Sequence, residues 1–259
     1  MSLSTAGFGG IERMGSLELF LEHYIQAKKG PRTKRKVDAL LKRRVWELRE
    51  THHDCCGQKL QYFLAQEGTQ LSVTKIYEIL AEKYLLRSRW KKQRKPGTLP
   101  VAAAAREVIQ MDSVVFGDVF AFTAVDIYSR EVSVLLRPSL TSYDGSVFLH
   151  HAMQHRFNGH VHLIQTDGGP EFKEHFKKAL LTYATIHRLA RPYKKNEQAF
   201  IESFNRSLRK ECLGWSHYKQ ADLPRLQEEV DAYIDYYHNV RPHLGLHLQP
   251  PEAHRLLHI

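Results

Sequence analysis

VIQMDSVVFGDVFAFTAVDIYSREVSVLLRP, residues 108–138, reads as three successive β-strands with short turns at Gly117-Asp118 and Ser129-Arg130. β-Branched and aromatic residues dominate each run, and turn formers separate them. Beyond this stretch, strands and helices alternate. A helix is expected over Tyr143–His155, then a strand through Val161, Leu163 and Ile164, and a helix from about Glu171. A short strand near Thr185–Arg188 precedes a helix from about Gln198. A long helix over Leu223–His238 carries Leu226, Val230, Tyr233, Ile234 and Tyr237 as its apolar stripe. Three antiparallel strands followed by alternation predict an α/β fold, a mixed sheet covered by helices.

The N-terminal part has a different texture. Helical patterns occur around Leu17–Tyr24, over Thr33–His52, over Gly57–Gln66, and from a Ser72 cap to about Glu82. The last two, joined by a short glycine-containing turn, have a helix-turn-helix pattern that leaves Thr74, Lys75 and Glu78 on the exposed face of the second helix. The segment RSRWKKQRKPGTLP, residues 87–100, reads as an extended basic linker containing Lys91, Lys92, Arg94 and Lys95. Residues 1–104 hold 20 Lys and Arg against 10 Asp and Glu, whereas residues 105–259 hold 18 of each. The whole net charge of +10 therefore lies in the N-terminal two-fifths, which points to a polyanion-binding module. The expected organisation is a helical DNA-binding region at 1–86, a linker at 87–104 and a catalytic core at 105–259. Three cysteines form no disulfide framework, and neither a secretory signal nor a membrane-length apolar run is present, so a cytoplasmic protein is expected.

Four carboxylates stand out. Asp112 sits inside an apolar strand, where an unpaired charge is costly. Asp126 ends the next strand and is expected to pair with Arg130 at the turn. Asp167 closes its strand just before Gly168-Gly169, a spacing equally suited to an Asp-capped turn and to a ligand site at a strand's carboxyl end. Glu202 lies one turn into a helix. Gathered together, Asp112, Asp167 and Glu202 would repel one another, and a divalent cation with a preference for hard oxygen ligands, Mg²⁺ or Mn²⁺, removes that conflict.

Asp112, Asp167 and Glu202 resemble the Asp-Asp-Glu signature of retroviral integrases and insertion-sequence transposases. Their intervals are 55 and 35 positions. VDIYSR, QTDGGPEF, YKKNEQAFIESFNRSLRKE and YHNVRPHLGLHLQPPEA are similar to segments of that family. The resemblance implies a ribonuclease H-like core, two metal ions per active site, and DNA as partner in the form of element ends and target duplex. It also implies a homo-oligomer and a bacterial, nucleoid-associated setting. Tyr193, Lys194, Lys195, Gln198, Asn205, Arg206 and Arg209 would contact DNA, with Thr74, Lys75 and the linker cations adding contacts. Lys194-Lys195 depart from the Asn-Pro often found in that loop. The crowded HHDCC, residues 52–56, does not suit the integrase zinc module, because adjacent Cys55 and Cys56 cannot easily share one tetrahedral ion. The implied activity is metal-dependent cleavage and strand transfer. The alternative is a catalytically silent, transposase-derived DNA-binding regulator.

Overall fold

The computed structural model describes residues 37–86, 100–191 and 196–257. The helix expected around Leu17–Tyr24, the cations Lys91, Lys92, Arg94 and Lys95, and the loop residues Tyr193, Lys194 and Lys195 lie outside the described residues. The chain divides into two compact units, Met1–Arg44 and Val45–Ile259.

The second unit is built on a five-stranded sheet of order β3-β2-β1-β4-β5. Its strands are β1 (Val108–Phe116), β2 (Val119–Asp126), β3 (Val132–Arg137), β4 (Val161–Thr166) and β5 (Ala184–Leu189). β2 runs antiparallel to both its neighbours, while β1, β4 and β5 are parallel. This is the expected ribonuclease H-like mixed sheet flanked by helices.

Strand alternation sorts the two faces. Ile109 and Met111 of β1 join Phe122 and Ala124 of β2 under Phe148, Leu149, Met153 and Phe176 from the helices Ser142–His155 and Glu174–Tyr183. The opposite face carries Val114 and Phe116 with Ala121 and Val125. It packs beneath Ile201, Phe204 and Leu208 of helix Ala199–Leu208 and Leu226, Val230 and Tyr233 of helix Leu223–Asn239. Residues 110 and 112 therefore project towards the Ala199–Leu208 helix, a polar pair at the edge of an apolar layer.

The helix expected from Glu171 starts later. Pro170–Phe172 forms one 3₁₀ turn and the helix begins at Glu174, because Glu171 turns inward and is buried. A further helix, Pro251–Leu257, has no apolar periodicity to announce it. In the N-terminal half, Gly57–Gln66 and Val73–Lys83 form a helical pair with Leu60, Leu64, Ile76, Ile79 and Leu80 buried. The Ser72 hydroxyl accepts from Lys75 N at 3.3 Å, the expected cap. The pair and its preceding turn lie against the core: His52 Nδ1 is 3.2 Å from the Tyr236 hydroxyl, and Lys210 Nζ donates to the Asp54 carbonyl at 3.1 Å. No helix among the described residues is long and apolar enough to cross a membrane.

A buried histidine ties the Leu223–Asn239 helix to the sheet. His238 Nε2 accepts from Val132 N at 3.0 Å, which requires a neutral ring. Burial, reinforced by nearby Arg156, pushes its pKa down to about 3. The unfolded chain binds a proton at this histidine below its ordinary pKa near 6.5 whereas the folded chain does not, so its stabilising contribution is complete above that value and is lost as pH falls towards 3. His238→Gln keeps an acceptor for Val132 N without a titrating group. Its melting temperature should fall less than that of the wild type between pH 7 and pH 5, and parallel curves would show that His238 does not govern acid sensitivity.

Candidate active site

The register of the central strands decides where the carboxylates meet. β1 pairs with β4 as Val108 with Leu163, Ile109 with Ile164 and Gln110 with Gln165, a constant offset of 55. Asp112 and Asp167 are separated by the same 55 positions, so the register continued beyond Gln110 and Gln165 brings Asp112, in the middle of β1, level with Asp167, just past the end of β4. Parity puts both on the face of Gln110 and Gln165, whose side chains are 3.3 Å apart.

Gln110 also positions the third carboxylate. Its Nε2 donates to the Glu197 carbonyl at 2.6 Å and its Oε1 accepts from Ile201 N at 3.1 Å. One buried amide thus satisfies backbone groups at the start of the Ala199–Leu208 helix, whose first turn has unpaired N–H groups. Glu202 follows Ile201 directly. Three residues on, Asn205 donates from Nδ2 to Asp112 Oδ2 at 2.7 Å while its Oδ1 accepts from Thr123 Oγ1 at 2.8 Å. Asn205, expected among the DNA contacts, is instead buried and spends its amide on Asp112 and the sheet.

The electrostatics show that the carboxylates share one neighbourhood. Burial pushes the Asp112 pKa up to about 6; the Ser113 N–H pulls against this, and Asp167, Glu171 and Glu202 add to the rise. Asp167 itself is exposed, with Oδ1 accepting from Gly169 N at 2.8 Å in an Asx turn.

Glu171 was missing from the sequence reading. It is only 4% exposed, its Oε1 accepts from Ser113 Oγ at 2.6 Å, and its Oε2 has no hydrogen-bond partner among the described residues. The glycine pair follows from this arrangement. Gly168 adopts a φ of +83°, and a Cβ at Gly169 would collide with the Glu171 carboxylate. Gly-Gly before a Pro-Glu was the available signal, but a buried acid cannot be told from a helix-start acid without the fold.

Glu197, five residues before Glu202, is fully engaged elsewhere. Its carboxylate accepts from Arg191 N at 2.8 Å and Arg191 Nε at 2.6 Å, with Arg188 at 3.7 Å. These hydrogen bonds from Arg191 hold its pKa down. Asp126 also departs from expectation. It does not bind the Arg130 side chain but accepts from Arg106 N, Tyr128 N and Ser129 Oγ, while the Arg130 guanidinium lies 4.0 Å from the Phe200 ring centre.

The remaining expected DNA contacts scatter. Arg206 is exposed, and Gln198 is half-buried with Nε2 unpartnered. Arg209 donates to the Val115 carbonyl at 3.0 Å and stacks over Phe116 and Trp215. On the helical pair, Thr74 is exposed and Lys75 pairs with Glu78 at 2.6 Å.

Among the described residues no three His, Cys, Asp or Glu side chains converge closely enough to hold one metal ion. The donor chemistry nonetheless suits a hard divalent cation: oxygen-only ligands, mutual repulsion around Asp112, and a buried carboxylate oxygen without a partner.

The site thus combines a mixed sheet carrying Asp112 inside a central strand, Asp167 just past the end of its parallel neighbour and Glu202 on a crossing helix. Residues 184–251 match the family model described as Integrase core domain. The chain is 28% identical over 224 residues to an uncharacterized 39.2 kDa protein of insertion element IS476 from Xanthomonas euvesicatoria, covering 82% of this chain and 63% of that one. It is 28% identical over 235 residues to a 31.7 kDa protein of insertion element IS407 from Burkholderia multivorans, covering 85% and 82%. The chain thus spans less than two-thirds of the first relative's length. Among solved structures, the catalytic core domain of BIV integrase is similar with a TM-score of 0.46 and 18% identity, over 59% of this chain and 95% of that one. A chain of the simian T-cell lymphotropic virus intasome has a TM-score of 0.49 and 20% identity, over 77% and 70%. The chain is thus similar to insertion-element proteins and matches the integrase core model over residues 184–251.

Asn205 and Asp112 should respond oppositely to substitution. Asn205→Ala leaves Asp112 Oδ2 without its donor and the Thr123 hydroxyl with the Asp112 carbonyl alone, and should cost about 1–3 kcal/mol. Asp112→Asn removes the charge that its neighbours repel and should cost much less in EDTA at pH 7–8. Urea denaturation of both variants checks this, and a larger loss for Asp112→Asn would make Asp112 a structural ion.

Proposed function

We propose that this protein is a DNA transposase of the integrase-core type, cleaving a phosphodiester at an element end and transferring the freed 3′-hydroxyl to target DNA. The observation that supports this reading is the shared offset of 55: the β1–β4 register, carried two residues past Gln110 and Gln165, brings Asp112 level with Asp167, and the helix bearing Glu202 is anchored over the same strand. In this reading Asp112, Asp167 and Glu202 are the catalytic carboxylates and the ligands of two divalent cations, Mg²⁺ or Mn²⁺. Such ions, when bound, would activate the attacking oxygen and neutralise charge on the leaving oxygen.

The chain's own groups have distinct tasks. Asn205 fixes the rotamer of Asp112, leaving Oδ1 with a single backbone donor, Ser113 N. The Asx turn holds the loop carrying Asp167 close to the strand end. Exposed Asp167 and Glu202 can swing towards a cation without breaking a core contact. Arg206, one turn beyond Glu202, lies where a DNA phosphate would approach. Thr74, Lys75 and the basic linker supply further DNA contacts from the N-terminal region, and two copies acting on paired ends account for a homo-oligomer.

Glu202→Gln keeps size and hydrogen bonding but removes the ligand charge. With labelled element ends, target plasmid and Mg²⁺, its strand transfer should drop by orders of magnitude while DNA binding persists. Glu197→Gln should lose stability rather than chemistry, because it breaks the Arg191 clamp. Bound but uncut DNA with the wild-type chain would make it a regulator, and cleavage without joining would make it a nuclease.

A further inference from the structure

Behind the Ala199–Leu208 helix, on the side turned away from Glu202, lies a pocket of about 300 Å³. At 100° per residue, Phe200, Ser203 and Ser207 share the helix face opposite Glu202 and Asn205. Three cations line this space: Lys59, Arg130 and Arg241. Among the described residues the one carboxylate hydrogen-bonded to any of them is Glu211, which accepts two bonds from Arg241, at 2.6 and 2.7 Å, while Glu211 and Asp126 act on Lys59 and Arg130 from further away. Lys59 is 92% buried and forms no ion pair among the described residues. Arg130 likewise has no ion pair among them, and its Nη1 is buried without a hydrogen-bond partner. Burial, helped by Arg241, pushes the Lys59 pKa down to about 8.

Burying a charge with no partner is costly, and here two positive charges face one cavity. The hydroxyls of Ser203 and Ser207 add neutral hydrogen-bonding groups at its wall, Ser207 Oγ already accepting from Arg241 Nη2 at 3.2 Å. Planar guanidinium forks with an ammonium and hydroxyls suit the several oxygens of a tetrahedral phosphoryl group better than a single planar carboxylate. We propose that this pocket is a phosphate-binding site, distinct from the carboxylate site and independent of the proposed chemistry there. Its occupant is a phosphate group, and it joins Lys59 of the helical pair to Arg130 of the β2–β3 turn.

Titration of the full chain with inorganic phosphate, against chloride at equal ionic strength, tests the site. The expected result is saturable binding by calorimetry and a melting temperature raised by phosphate beyond the chloride control. Arg130→Gln should weaken binding at least about tenfold. Should that variant fail to fold, Ser203→Glu decides, because it places a carboxylate at the exposed mouth without disturbing the buried cations and should abolish binding. Competition with short duplex DNA identifies the source. Expulsion of inorganic phosphate assigns the pocket to a backbone phosphodiester, and phosphate retained on DNA-saturated protein assigns it to the free ion. Phosphate acting no more strongly than chloride, or binding unchanged in Ser203→Glu, overturns the proposal.

Discussion

The site depends on one buried amide. Gln110 sits in the central strand, beside Gln165 of the neighbouring strand, and bonds the backbone on either side of the entry to the Ala199–Leu208 helix. A buried amide must be satisfied, and a helix start must find acceptors for its free N–H groups. Gln110 meets both needs at once. Asp112 and Asp167 lie two residues beyond Gln110 and Gln165, and Glu202 lies one beyond Ile201, so a single clamp sets the relative position of all three. Hydrophobic packing of Ile201, Phe204 and Leu208 supplies the attraction; the amide supplies the register.

The carboxylates themselves work against folding. Asp112 is half-buried beside like charges, and among the described residues the Asn205 amide and the Ser113 N–H compensate it. A functional site built this way stores unfavourable electrostatics that a bound cation would relieve. The Asn205–Thr123 link ties that compensation to the sheet, so the strained carboxylate is held by rigid elements rather than by a loop. Glu197 shows the contrast. It is equally acidic and close in sequence, yet its carboxylate is saturated by Arg191 and Arg188 and has no capacity left for a ligand.

The basic residues divide in a similar way. Arg209 and Lys75 are occupied by intramolecular partners, whereas Lys59 and Arg130 enter a pocket without an ion pair among the described residues. Arg130 is free for this because Asp126 takes its hydrogen bonds from Arg106, Tyr128 and Ser129. Net charge at the level of sequence cannot separate these fates, since it depends on which cations find carboxylates after folding.

The strands β1 to β5, the helices around them and the Ser72 cap were legible in the sequence because period-2 and period-3.6 patterns and turn residues are local signals. Asp112, Asp167 and Glu202 stood out through spacing and resemblance, and their catalytic role is the one proposed above. Spacing alone could not say that 55 positions equals the β1–β4 offset, since register is set by pairing across the sheet. The burial of Glu171, the turn of Asn205 from DNA to Asp112, the release of Arg130 and the pocket around Lys59 were decided only in three dimensions. Each depends on partners between 20 and 182 positions away, or on a burial no local pattern encodes, and a side chain's role there is set by what the fold leaves for it to bond.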